Sequence, residues 1–123
     1  MVHQIEKFDA NAQEPIVGID LGTTHSLVAI VRGGVPEVLP SREGKRLLPS
    51  VVAVASEGAE PVLGYEARKH LIRDARHTAF SVKRLLGRSY DDVKDRASDF
   101  PYEIVAPENG DASGLVRIRL GYC

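Results

Sequence analysis

The segment that most constrains the fold is Ile16-Val-Gly-Ile-Asp20-Leu-Gly-Thr-Thr-His25, which runs at once into Ser26-Leu-Val-Ala-Ile-Val31. A β-branched run ends in an acid and a glycine, two threonines turn the corner, and a second apolar run leads back out. That order predicts a β-hairpin. Its tip is rich in groups that suit a phosphate: Gly22 lets the backbone approach an oxyanion, Thr23 and Thr24 supply amide and hydroxyl donors, and Asp20 places a carboxylate where the waters of a magnesium ion can sit. Asp, Gly and Thr are also ordinary turn formers, and a hairpin needs no ligand to explain them. Tight two-residue reversals favour pairs of the Asn-Gly kind, however, and a glycine followed by two threonines is a poor choice for reversal alone. The threonines therefore read as ligands. His25 can donate to an anion, although an imidazole beside a turn is more often solvated or packed.

The rest of the chain reads as short alternating elements. Strands are expected at 16–20 and 26–32, and Gly33-Gly34 reverses the chain into a third at 35–39, giving three antiparallel strands. Residues 40–48 form a charged, breaker-rich loop before a strand at 51–55. From Tyr65 to Arg76, Ala67, Leu71, Ile72 and Ala75 recur at helical spacing, leaving Arg68, Lys69, Arg73 and Arg76 on the other faces. Phe80 to Leu86 is a short apolar and basic segment closed by Gly87. Ser89 caps a second helix over 89–97, with Asp91 and Asp92 in its acidic first turn. Two closing strands are expected at 102–106 and 115–120, joined by a polar loop. Residues 1–14 read as a flexible lead-in ended by Pro15, which leaves 15–123 as the folded unit.

Composition narrows the function classes. A chain of 123 residues with 43% hydrophobic and 27% charged residues suits one small globular unit, and no run of about 18 apolar residues exists to span a membrane. The N-terminus lacks the charged-then-apolar layout of a secretory signal, and a single cysteine, Cys123, forms no internal disulfide, so a soluble protein of the cytoplasm is expected. A net charge of -1 argues against nonspecific nucleic-acid binding. The charge is uneven: residues 64–88 hold seven Lys or Arg against two acids, and residues 91–111 hold seven acids against two Lys or Arg. These segments are candidates to pair, although most such charges are solvated helix faces. His70 and His77 carry no expected chemistry, and Lys83, Arg84 and Arg88 suit packing or surface pairing. The sequence has no Walker loop, no Cys/His metal set and no nucleophile-base-acid triad.

The run Val17-Gly-Ile-Asp-Leu-Gly-Thr-Thr-His-Ser26 resembles the first phosphate motif of the ATPase superfamily shared by actin, sugar kinases and DnaK-type heat-shock chaperones. Three further segments are similar to the chaperones in particular. Glu43-Gly-Lys-Arg-Leu-Leu-Pro-Ser50-Val-Val-Ala-Val matches their basic, Pro-Ser and apolar-strand order, Val62-Leu-Gly-Tyr-Glu-Ala-Arg68 their lead into a helix, and Ser81-Val-Lys-Arg-Leu-Leu-Gly-Arg88 their Lys-Arg-Leu-apolar-Gly-Arg signature. The likeness covers roughly residues 15–120, and Leu47 to Val52 and Gly64 to Arg68 lean toward the HscA-like, iron-sulfur-assembly branch.

The resemblance implies an α/β fold: part of a ribonuclease-H-like, actin-like ATPase lobe with a three-stranded antiparallel start and a small attached α/β subdomain. It implies ATP or ADP with Mg2+, the metal held through water by Asp20 and the β- and γ-phosphates cradled by Gly22, Thr23 and Thr24. Arg68 stands where most members have the catalytic lysine beside the attacking water, and Lys69 is the fallback cation. An arginine keeps the charge but loses the compact ammonium geometry. His25, a further residue of the nucleotide site, stands where an asparagine or an aromatic residue is usual. The implied partners are an unfolded polypeptide or iron-sulfur scaffold client, a J-domain co-chaperone and a nucleotide-exchange factor, with no nucleic acid and no membrane. The chain stops at Leu120-Gly-Tyr-Cys123, and the second phosphate motif, the adenine pocket and the peptide-binding domain have no counterpart in it. A front fragment is the expectation, inactive alone, with a poorly covered sheet edge. Two alternatives stand beside the chaperone: a sugar or metabolite kinase, in which a substrate pocket replaces the Ser81 to Arg88 segment, and a non-catalytic remnant.

Overall fold

In the computed structural model, which describes residues 16–121, the first two apolar runs form the expected hairpin. The predicted lead-in over 1–14 and the terminal Cys123 lie outside the described residues. Strands β1 (Val17–Leu21) and β2 (His25–Arg32) pair antiparallel, with Val17 opposite Ile30 and Leu21 opposite Ser26. Gly33 and Gly34 both take positive φ, 57° and 81°, the backbone hand that matches strand twist in a two-residue reversal. They lead into β3 (Val35–Val38). A short fourth strand, β4 (Leu48–Pro49), pairs with His25 and Ser26, so β2 carries β1 along one side and β3 then β4 along the other. The three-stranded start is thus four-stranded, because two residues at the end of a loop carry no readable periodicity. Strand β1 is the outer strand, and its Ile19 is 70% exposed.

A second sheet orders β6 (Val62–Leu63), β5 (Val51–Ala53) and β7 (Thr78–Phe80), all antiparallel. Helix α1 (Gly64–Arg73) packs on it, and the fully buried Ala67 meets Val51 and Ala53 in a small core. The helix ends three residues before the expected Arg76. Asp74 leaves helical geometry at φ -153° and ψ 71°, its carboxylate binds the His77 ring, and its carbonyl oxygen accepts from the Thr78 hydroxyl at 2.8 Å. Local side-chain bonding of this kind competes with helix continuation. Ile72, placed on the apolar face by periodicity, is 94% exposed.

Gly64 opens α1 at φ +66°, and a Cβ there would lie 2.3 Å from Leu48 Cδ1. Gly64→Ala should therefore lower the unfolding free energy by about 1–2 kcal/mol, the cost of forcing a left-handed conformation on an L-residue. Urea denaturation of the two proteins gives the difference.

The third unit gathers Leu85, Val93, Tyr102 and Ile104 beneath the hairpin of β8 (Glu103–Val105) and β9 (Arg117–Arg119). The helix expected over 89–97 is one turn of α-helix, α2 (Tyr90–Val93), continuing as a 3-10 segment over Lys94–Asp99. Ser89 caps it as expected: its hydroxyl accepts from the Asp92 N–H, and the Asp92 carboxylate accepts from the Ser89 N–H at 3.0 Å. Those bonds from Ser89 hold the Asp92 carboxyl below its ordinary pKa. Phe80 packs against both cores and joins the second and third units. The architecture is mixed α/β built from antiparallel sheets. The basic and acidic segments meet around Arg84, Arg88, Asp92 and Asp99, yet Arg96 pairs locally with Asp99 and Lys94 with Asp91. Among the described residues no helix is long and apolar enough to cross a membrane.

Candidate functional site

The hairpin tip is shaped by a close backbone approach. A Cβ on Gly22 would lie 2.2 Å from the His25 carbonyl oxygen, so only glycine fits this corner. Behind the tip stands Ser50. Its N–H donates to the Thr24 carbonyl at 2.9 Å and its hydroxyl donates to the Gly22 carbonyl at 2.8 Å. Because that hydroxyl proton is committed, the Ser26 hydroxyl, 2.8 Å away, is the donor to Ser50 Oγ. Three strands, β2, β4 and β5, thus meet at one serine between Pro49 and Val51.

Thr23, Thr24, Ser50, Arg68, Phe80 and Ser81 line one open cleft of about 160 Å³. Arg68 comes to it on α1, whose preceding residue, Ala67, is locked into the core. More than forty residues of sequence separate Arg68 from the turn. Among the described residues no ion pair engages Arg68, whereas its neighbour Lys69 is tied to Glu66 at 2.6 Å and does not line the cleft. The fallback cation is therefore spoken for. Ser81 is the one non-glycine described residue with positive φ, 54°, a conformation that tends to persist where surrounding structure imposes it, often at functional sites.

Other predicted site residues sit differently. Asp20 is exposed on β1, opposite Leu27, and is not part of the cleft lining. His25 begins β2, half-buried, opposite Pro49. Gly22 borders a neighbouring apolar cavity of about 360 Å³ between the first sheet and the segment after β7, lined by Leu48, Leu63, Val82 and Leu86. Among the described residues no group of three or more His, Cys, Asp or Glu side chains could hold a metal directly. A magnesium ion bound through waters to one carboxylate and to phosphate oxygens needs no such cluster. Ser50 and Ser81 stand within the chaperone-like motifs, and neither is among the site residues expected from the sequence. Ser50 had a readable signal, a Pro-Ser pair directly before an apolar strand; Ser81 had none.

Thr23, Thr24, Ser50, Ser81 and Arg68 thus share the cleft lining with the apolar Pro49, Val51, Leu71 and Phe80, and hydroxyl groups beside an arginine suit an anion such as phosphate. The sequence model of the Hsp70 protein family matches residues 16–120. The chain belongs to the Hsp70 family. It is 52% identical over 93 residues to the chaperone protein HscA of Cronobacter sakazakii, an alignment covering 76% of this chain and 15% of that protein. It is 49% identical over 94 residues to the HscA homolog of Photobacterium profundum, with the same coverage of 76% and 15%. Against the HscA homolog of Burkholderia ambifaria it is 50% identical over 103 residues, 84% of this chain and 15% of the relative. The chain spans about 15% of the length of the curated relatives it matches. Within the Hsp70 family, these HscA relatives agree with the branch to which the Leu47 to Val52 and Gly64 to Arg68 segments lean.

Proposed function

We propose that this chain forms the front of the nucleotide-binding domain of a DnaK-type chaperone of the HscA-like branch, part of a ribonuclease-H-like, actin-like lobe. The observation that carries the reading is the convergence of Thr23, Thr24 and Arg68 on one cleft within a chain of the Hsp70 family. In this reading Gly22, Thr23 and Thr24 cradle the β- and γ-phosphates of ATP, and Asp20 orients Mg2+ through water. The metal neutralises phosphate charge when bound. Arg68 places a second positive charge by the terminal phosphate and positions the attacking water. His25 lends a further donor at the edge of the turn. In the whole protein, hydrolysis is coupled to clamping an unfolded polypeptide or an iron-sulfur scaffold client, with a J-domain co-chaperone and a nucleotide-exchange factor as partners in the cytoplasm. A sugar or metabolite kinase is disfavoured by the intact Ser81 to Arg88 segment and by the HscA relatives.

The 123-residue chain alone should bind Mg-ATP weakly. The cleft supplies a few charge-assisted hydrogen bonds, each worth roughly 1.5–3 kcal/mol before the costs of association, which places Kd at about 1 mM or weaker. Titration of the chain with Mg-ATP, followed by the backbone amide resonances, should shift Thr23 and Thr24 first, and phosphate release should stay at background. Thr23→Ala or Arg68→Ala should abolish the shifts. Shifts that survive both substitutions, or that fall elsewhere in the chain, would refute the assignment of the cleft.

A further inference from the structure

We propose that Ser50 is the positioning residue of the phosphate turn. The inference rests on the reading of Thr23 and Thr24 as phosphate ligands, and it concerns what makes that turn a donor surface. A turn of this kind carries carbonyl acceptors as well as N–H donors, and an anion is drawn to the amides and repelled by carbonyl oxygens that face it. Ser50 separates the two sets. Its hydroxyl and its N–H donate to the carbonyls of Gly22 and Thr24, on either side of Thr23, at 2.8 and 2.9 Å. Among the described residues no hydrogen bond engages the N–H or hydroxyl groups of Thr23 and Thr24. The Gly22 and Thr24 carbonyls thus each accept one bond from Ser50 while the donors of Thr23 and Thr24 stay available.

The latch also fixes geometry. Ser50 lies between β4 and β5, so the strand that packs under α1 through Val51 is one residue away from the serine that holds the turn. Arg68 and the turn are thereby referred to the same short piece of backbone, which keeps the cation and the donors in register across the cleft. Ser26 completes the set by donating to Ser50 Oγ, which fixes the rotamer in which Ser50 reaches Gly22. Positioning groups of this sort matter because a site held loosely by about 1 Å loses much of its effect.

The test uses the 123-residue chain with Ser50→Ala and Ser50→Thr, the second of which retains the hydroxyl. Hydrogen exchange and Mg-ATP titration are read at individual amides. In Ser50→Ala the amide of residue 50, which holds the turn by donating to the Thr24 carbonyl, should exchange at least tenfold faster while the β5 and β7 amides keep their rates, and the Mg-ATP shifts should require several-fold more nucleotide. Ser50→Thr should restore both. Unchanged exchange of the residue 50 amide in Ser50→Ala overturns the proposal, as does a Ser50→Thr protein that behaves like the alanine variant, since volume rather than the hydroxyl would then matter. If the parent protein shows no Mg-ATP shifts, the phosphate reading fails on its own, and the exchange rates still decide whether Ser50 orders the turn.

Discussion

Tyr102→Ala should lower the unfolding free energy by roughly 3–5 kcal/mol, the range for deleting a buried aromatic ring, and so remove a large share of the stability of a domain this small. Tyr102 is 2% exposed. Its ring meets Phe80 edge-on at 5.8 Å and 87°, and Phe100 at 5.4 Å and 36°. Its hydroxyl donates to the Phe80 carbonyl at 2.6 Å. Because Phe80 belongs to both cores and lines the cleft, the loss should spread from the third unit to β7 and the site. Tyr102→Phe keeps the packing but leaves a carbonyl without its partner, at a cost of about 1–2 kcal/mol.

Titration gives a second handle on the same residue. Burial pushes the Tyr102 phenol up to about 12, a rise opposed by the nearby Arg84 guanidinium. The folded pKa lies above the unfolded value of about 10, so folding favours the protonated phenol. The resulting stability is whole below pH 10 and is lost as pH rises toward 12. Urea denaturation across that window should show a fall in the parent protein that is smaller in Tyr102→Phe.

Gly22→Ala should cost about 2–3 kcal/mol and erase nucleotide recognition as well. The added Cβ meets the His25 carbonyl oxygen, a backbone atom that cannot rotate away, at 2.2 Å. Relief requires the tip to open, which pulls the Gly22 carbonyl from Ser50 and shifts Thr23 and Thr24. Urea denaturation measures the first effect, and Mg-ATP titration of the Thr23 and Thr24 amides the second. A variant that keeps both stability and shifts would show that the corner tolerates a side chain.

Element types were readable wherever local chemistry acts alone. The β1–β2 hairpin followed from β-branched runs around a Gly-Thr-Thr turn, the reversal after β2 from Gly33-Gly34, and the start of α2 from Ser89 with Asp92 three residues later. Ends and short pairings were less legible. Asp74 stops α1 by binding His77, a choice that helical spacing does not encode, and β4, β6 and β7 are strands of two or three residues defined by their partners. Ile72 shows the same limit: periodicity gives a helix an apolar side, but the neighbouring sheet covers only part of it.

The candidate site divides in the same way. The sequence by itself determined the Gly-Thr-Thr turn and the family and offered Arg68 and Lys69 as candidate cations, because each lies in a short run whose spacing is fixed by covalent bonds. Only the tertiary structure decided that Arg68, rather than Lys69, shares a cleft with Thr23 and Thr24, that Asp20 stands on an exposed outer strand, and that Ser50 holds the turn. Those facts depend on how β5 seats α1 and how β4 closes on β2, through contacts between residues far apart in the chain that no local pattern specifies.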